Sequence, residues 1–214
     1  LPLKGNGASY YQDCLLKLVG FKLHELDPTL KPVLALDSDQ LVMKNLDHLF
    51  VGLPDVDLAA PRAYWLSKDF LASTFLMINL SDRLWHTVES ALATVQYNKF
   101  DMDLINDVLG ETVMMLSGEY VTLNSHWEDW GLPSWYHASE GLNLTTHPFS
   151  QELSRPRDSA AVIHFTAAGK LWMHTPEHVL DMKPDAHPAL AEQFELWRVT
   201  AADVCPGGIP GEKD

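Results

Sequence analysis

Residues 33–50 read V-L-A-L-D-S-D-Q-L-V-M-K-N-L-D-H-L-F, and the fold turns on how this stretch is parsed. The apolar run from Val33 to Leu36 stops abruptly at Asp37-Ser38-Asp39, the pattern of a buried strand that delivers carboxylates at its C-terminal end. In extended backbone, residues i and i+2 point to the same side, so Asp37 and Asp39 can converge on one point. Two carboxylates held close repel, which raises one pKa unless a cation joins them. An oxygen-rich pair of this kind suits Mg²⁺ or Mn²⁺; a solvated turn with two surface acids is the plainer reading. Apolar sequence on both sides, with Leu41-Val42-Met43 following, weighs against the plainer reading, because burial makes idle carboxylates costly.

Outward from this stretch, apolar residues over 9–26 recur at three and four, as in an amphipathic helix, until Asp27-Pro28 and Lys31-Pro32 break the pattern. Strands are predicted at 56–60, stopped by Pro61, and at 75–80. Ser81-Asp82 then reads as the N-cap of a helix over 82–96. A helix over 101–109, short strands at 113–116 and 119–123, a last core strand at 161–165 and a polar helix over 186–198 complete the pattern. Residues 124–159, rich in Trp, Pro, Gly and His with weak periodicity, read as long ordered loops. Short apolar strands alternating with helices imply an α/β sandwich with a mostly parallel sheet. Such sheets bind ligands beyond the carboxyl ends of their strands, where Asp37, Asp39 and His164 fall. A single domain over residues 1–200 is expected, with a flexible tail over 201–214.

Composition narrows the partners. With 15 basic against 29 acidic residues, the net charge of −14 repels nucleic acid and anionic lipid. An anionic ligand then requires a metal or a local basic cluster to offset the field. No apolar run reaches the ~20 residues that span a bilayer, so this segment is expected to make no membrane contact. Asn79-Leu80-Ser81 and Asn143-Leu144-Thr145 are N-glycosylation sequons, consistent with the secretory pathway without establishing it. Whether Cys14 and Cys205 pair is open, as is the oligomeric state. The opening Leu1-Pro2-Leu3, without methionine, reads as the start of a fragment or trimmed chain.

Several other residues carry potential chemistry. His164, inside A-V-I-H-F-T, is either a core side chain bonded to backbone or a nitrogen ligand that tilts a carboxylate site from Mg²⁺ towards Mn²⁺. Lys170, after Gly169, is a surface lysine or a point charge for phosphate. Asp101 and Asp103 open a helix, where the dipole alone favours acids; the functional alternative makes Asp101 a catalytic-face carboxylate, with Asn106 a turn and a half on. Trp127, Trp130, Trp135 and Tyr136 either pack the loops or stack on a sugar.

Taken together, these blocks resemble glycosyltransferase family 8, the glycogenin-like enzymes, and within it the fungal N-acetylglucosaminyltransferase-like members. The resemblance runs from about Tyr10 to about Trp172. The opening stretch is similar to the family's strand, Asp-x-Asp motif and following Leu-Asp-x-Leu-Phe helix. L-A-S-T-F-L-M-I-N-L-S resembles its acceptor-side strand, D-M-D-L-I-N its Asp-Gln block, and H-F-T-A-A-G-K-L-W its His-Phe…Lys-Pro-Trp closure. An Asp-x-Asp alone is weak, but four blocks in family order are specific.

The resemblance implies a GT-A-type, Rossmann-like α/β/α sandwich with a mixed, mostly parallel central sheet, whose first strand and nucleoside-binding loop precede residue 1. It implies that Asp37, Asp39 and His164 bind Mn²⁺, with Mg²⁺ as the substitute. Asp37, Ser38, Asp39, His164 and Lys170 would bind the donor, with Lys170 on its diphosphate; Ser73 would line the sugar pocket, Asp101 would lie near the transferred sugar, and Lys17 would approach the donor. Trp130 and Asn124 are assigned to the acceptor side. The implied activity is retaining transfer of a hexose or N-acetylglucosamine from a UDP-sugar to a hydroxyl of a glycan, protein or small molecule, in the Golgi lumen or secretory pathway, with the cytoplasm not excluded.

The sequence departs from the family where the sugar binds. Ala72 and Thr74 replace the usual Asn and Gly around Ser73, Met102 the Gln beside Asp101, and Ala167 and Leu171 the Gly and Pro of the closure. The donor sugar is therefore not inherited. An inactive relative that binds nucleotide-sugar or carbohydrate is the alternative. A nucleotidyltransferase or phosphohydrolase would need a further metal carboxylate or a phosphate-cradling glycine loop, and no such loop occurs in the sequence.

Overall fold

The computed structural model describes residues 14–96, 98–136 and 149–205. The chain divides into two compact units, Leu1–Asp37 with Leu46–Gly118, and Ser38–Asn45 with Glu119–Asp214. The passage from one to the other falls inside the Asp37-Ser38-Asp39 motif.

The first unit begins with a 3-10 helix, Cys14–Glu25, followed by β1 (Val33–Leu36). The expected amphipathic helix is present here but wound more tightly. Its buried residues, Leu15, Leu18 and Phe21, recur every three positions, as a three-residue turn requires. After β2 (Gln40–Val42), which belongs to the second unit, come α1 (Asp47–Gly52), β3 (Leu58–Pro61), β4 (Phe75–Ile78), α2 (Asp82–Thr94), α3 (Asp101–Leu109) and β5 (Met114–Leu116). Four strands form a sheet in the order β1-β4-β3-β5. Along β3 and β4, Leu58, Ala60, Leu76 and Ile78 face a core completed by Leu15, Leu18 and Phe21, by Leu84 and Val88 of α2, and by Leu104 and Ile105 of α3. Every residue of β3 and β4 is buried, so the strands read as apolar runs rather than alternating ones. Each buried Leu, Ile or Phe contributes roughly 1.5–3 kcal/mol.

The second unit carries β2 antiparallel to β7 (Val162–His164), with β6 (Thr122–Leu123) parallel on the other side. Its helices are α4 (Ser125–Glu128), α5 (Phe149–Ser159), α6 (Pro176–Met182) and α7 (Ala189–Val204). Its core gathers Leu41, Trp127, Leu153, Ile163, Phe165 and Phe194. Trp127 is anchored by its indole N–H, which donates to the Leu153 carbonyl at 2.8 Å.

The α/β class and the mixed sheet match expectation. The emphasis on parallel pairing is corrected: β1–β4, β3–β4 and β2–β7 are antiparallel, and β3–β5 and β6–β7 are parallel. Between β3 and β4 the pairing extends through Arg62 and Leu71 as a long hairpin, with no helical crossover to reverse the chain. The parallel pair β3–β5 is the one spanned by helices α2 and α3. Pro61 closes β3 from within rather than stopping it. Residues 119–123 resolve into a 3-10 turn, Gly118–Val121, and the two-residue β6. Two further helices, α5 and α6, occupy sequence without clear periodicity, and α5 contains Pro156. Helix α7 runs to Val204, so residues 201–204 are helical rather than tail. Residues 206–214 of the expected tail and the Asn143 sequon lie outside the described residues. Both cysteines are free thiols. Among the described residues no helix is long and apolar enough to cross a membrane.

Candidate functional site

In the first unit, β1 ends at Leu36 and the Asp37 N–H donates to the Thr74 carbonyl at 3.0 Å, extending the β1–β4 ladder by one residue. That bond fixes the backbone from which the Asp37 carboxylate projects. Lys17, from the 3-10 helix, places Nζ 2.7 Å from Asp37 Oδ1 and 2.6 Å from Asp101 Oδ2. Ser73 donates its hydroxyl to the same Asp101 oxygen at 2.6 Å. Asp101 is only 7% exposed, so its charge is compensated by these partners rather than by solvent. Burial works to lower the Lys17 pKa, but the Asp101 and Asp37 carboxylates outweigh it and hold the ammonium above its ordinary value.

The two acids at the start of α3 have separate uses. Asp103 Oδ2 accepts the Phe100 backbone N–H at 3.0 Å, which caps the helix. Asp101 turns inward instead. The register between α3 and the 71–74 segment is set by Asn106, whose Oδ1 accepts from Leu71 N and whose Nδ2 donates to Leu71 O, both at 2.9 Å. One side chain thus pairs with a residue's N–H and C=O as a neighbouring strand would. Ala72, Ser73 and Thr74, just beyond, are all buried. The sequence placed Asn106 a turn and a half after Asp101 without a role; that role depends on a partner 35 residues away.

In the second unit, Asp39 lies beside the start of β2, and its carbonyl accepts the Phe165 N–H at 2.9 Å. Gln40 pairs with His164 across the β2–β7 ladder. His164 Nε2 is 3.3 Å from Asp39 Oδ1, and Lys170 Nζ donates to Asp39 Oδ2 and, at 3.3 Å, to the Phe165 carbonyl. Burial opposes ionisation of Asp39. Hydrogen bonding to His164, with the electrostatic pull of His164 and Lys170, overrides it and holds the carboxyl well below the usual carboxylate range. His164 Nδ1 is buried with no hydrogen-bond partner among the described residues.

This donor set fits a divalent cation. Two donors on one six-coordinate ion with bonds of ~2.1 Å sit roughly 3 Å apart, close to the Asp39–His164 separation. An oxygen and a nitrogen donor together suit a first-row transition ion better than Mg²⁺.

The remaining predicted residues fall as follows. Ser38 is exposed between the two aspartates. Trp130 is 39% exposed, holds a left-handed backbone (φ 54°), donates its indole N–H to the Asp185 carbonyl at 2.7 Å, and meets the His187 ring edge-on. Asn124, assigned to the acceptor side, is fully buried, and its amide is engaged with the backbone of residues 166 and 167. In the structure this side chain serves as an internal tie, its oxygen accepting two backbone N–H groups and its nitrogen donating to one carbonyl.

No protein-family model matches the chain. Among solved structures, the fold is shared with glycosyltransferases. The bifunctional glycosyltransferase WbbM in its apo form gives a TM-score of 0.53 at 14% identity, over 84% of this chain and 37% of that one. An active-site mutant of LgtC gives 0.50 at 21%, over 86% and 66%. The apo form of the glycosyltransferase GlyE from Streptococcus pneumoniae TIGR4 gives 0.50 at 16%, over 85% and 46%. At these identities the likeness defines the fold, which is of the GT-A type. Among curated proteins, a segment of 111 residues, 50% of this chain, is 31% identical to Glucose N-acetyltransferase 1 of Gibberella zeae. That segment spans about a quarter (24%) of the relative's length.

Proposed function

We propose that this chain belongs to a metal-dependent, retaining glycosyltransferase that moves a sugar from a UDP-sugar to a hydroxyl acceptor. The observation that carries this reading is the Asp39–His164–Lys170 cluster at the β2 and β7 termini, in a GT-A-type fold. Asp37, two residues before Asp39, is held within about 7 Å of it by the chain itself, and we assign it as the third ligand with Asp39 and His164. The imidazole in that set favours Mn²⁺ over Mg²⁺. When bound, the ion would act as a Lewis acid on the donor's diphosphate.

The chain's own residues supply the rest. Lys170 is a point charge at the same carboxylate and suits a phosphate oxygen. Lys17 offsets one of the two charges of Asp37 and Asp101, which reduces the repulsion this face presents to an anionic donor. We assign Asp101, held between Lys17 and Ser73, to hydrogen bonds from sugar hydroxyls that orient the donor. The secretory pathway is the proposed location, on the Asn79 sequon and the family resemblance. The acceptor is proposed as a carbohydrate or other hydroxyl compound.

Titration of UDP with and without Mn²⁺, into the wild type and Asp39→Asn, tests the reading. Metal-dependent binding in the wild type and its loss in the variant support it. No UDP binding at any metal concentration overturns it. Metal-dependent binding without turnover of any donor in a panel would move the reading to a non-catalytic relative, which the buried Ala72 and Thr74 flanking Ser73 favour.

A further inference from the structure

Asn124 holds the loop on which Lys170 is carried. Its backbone N–H donates to the His164 carbonyl at 3.0 Å, continuing the β6–β7 ladder one step past Leu123. Its Oδ1 accepts from Thr166 N at 2.7 Å and from Ala167 N at 2.8 Å, while Nδ2 donates to Ala167 O at 3.1 Å. Immediately beyond, Ala168 (φ 59°) and Gly169 (φ 81°) both take left-handed backbone, a costly conformation for alanine. Gly169 is further confined, since a Cβ there would lie 2.8 Å from the His174 ring. The chain thereby turns back so that Lys170 Nζ reaches both Phe165 O and Asp39. Asparagine suits this place because one short, neutral side chain must accept two N–H groups and satisfy one C=O. Aspartate offers acceptors alone, and alanine offers nothing.

We propose that Asn124 is a positioning residue: it touches no ligand but fixes the 165–170 loop, and with it the placement of Lys170 against the Asp39–His164 pair. The part that concerns donor binding rests on the UDP reading above; the part that concerns the loop does not. Three measurements are made on wild type, Asn124→Ala and Asn124→Asp, each well below its thermal midpoint: UDP affinity with Mn²⁺, amide hydrogen exchange, and the rate at which acetic anhydride modifies Lys170 relative to Lys183 without ligand. The expected result for Asn124→Ala is UDP binding weakened about 10- to 100-fold, the size typical of losing an outer-shell partner at a metal site. Thr166 and Ala167 amides should exchange at least about tenfold faster, with Val162 and Ile163 unchanged, and Lys170 modification should rise several-fold. Asn124→Asp, keeping the two accepted bonds, should fall between; it also carries the test if Asn124→Ala does not fold. Wild-type Lys170 reactivity and UDP affinity in the variants would overturn the proposal, even if stability fell. If the wild type itself bound no UDP, the glycosyltransferase reading would fall, and Lys170 reactivity would still decide the loop's role.

Discussion

The two compact units carry charged clusters wired in opposite senses. In the first, a cation sits at the centre: Lys17 bridges the Asp37 and Asp101 carboxylates, and Ser73 reinforces one of them. In the second, an anion sits at the centre: Asp39 is shared by His164 and Lys170. Removing Lys17 therefore leaves two carboxylates facing each other, whereas removing Asp39 takes from Lys170 the carboxylate it shares with His164. Side-chain exposure is similar in the two: 17%, 28% and 10% for Lys17, Asp37 and Asp101, against 13%, 11% and 24% for Asp39, His164 and Lys170. The clusters therefore differ in which sign of charge is shared, not in how far they are shielded from solvent.

The largest expected effect comes from the anion-centred cluster. On the proposed reading, in which Asp39 is a direct metal donor, Asp39→Ala should weaken Mn²⁺-dependent UDP binding by roughly 100-fold or more, since even outer-shell losses cost 10- to 100-fold; calorimetric titration measures it. Next is the cation-centred cluster. Lys17→Met leaves two partly buried carboxylates facing each other and should cost about 3 kcal/mol in urea denaturation at neutral pH, the lower end of the range for breaking a buried ion pair, because Asp37 is partly solvated.

Wiring of opposite sense predicts failure at opposite ends of the pH scale. The Asp39 pKa is depressed on folding, so its contribution is present above the unfolded carboxylate value of ~3.9 and is lost as pH falls through the folded value. The Lys17 pKa is raised on folding, so its contribution is complete below the unfolded value of ~10.4 and is lost as pH rises through the folded value. Stability measured against pH should lose part of its acid slope in Asp39→Asn and part of its alkaline slope in Lys17→Met. An acid slope unchanged in Asp39→Asn would break the comparison on that side.

Smaller effects sharpen it. Asn106→Ala leaves the Leu71 N–H and C=O without their side-chain partner and should cost about 1–3 kcal/mol in thermal unfolding. Smallest, Asp103→Ala removes a cap and should cost about 1 kcal/mol while UDP affinity stays unchanged. A large loss of affinity in Asp103→Ala would show that the two acids of α3 are not divided as described.

Much of this was legible in the chain. Strands at Val33–Leu36 and Phe75–Ile78 and helices at Asp82–Thr94 and Asp101–Leu109 announced themselves, because local periodicity and the Ser81 cap are properties of neighbouring residues. Helices α5 and α6 did not, since tertiary packing decides them and Pro156 argues locally against the first. The antiparallel balance of the sheets was also hidden, because strand direction depends on where the chain returns and not on what the strand contains.

By itself, then, the sequence determined the acidic motif at the end of an apolar strand, the histidine in the last core strand and the charge that demands compensation. Only the tertiary structure decided that Lys17 serves two carboxylates, that Asp101 turns inward while Asp103 caps, and that Asn124 spends its amide on a loop. Lys170 and Asp39 lie 131 residues apart, and Asn106 and Leu71 lie 35 apart. Pairings at such separations are set by the packing of whole elements around a common core, which no local pattern of residues encodes.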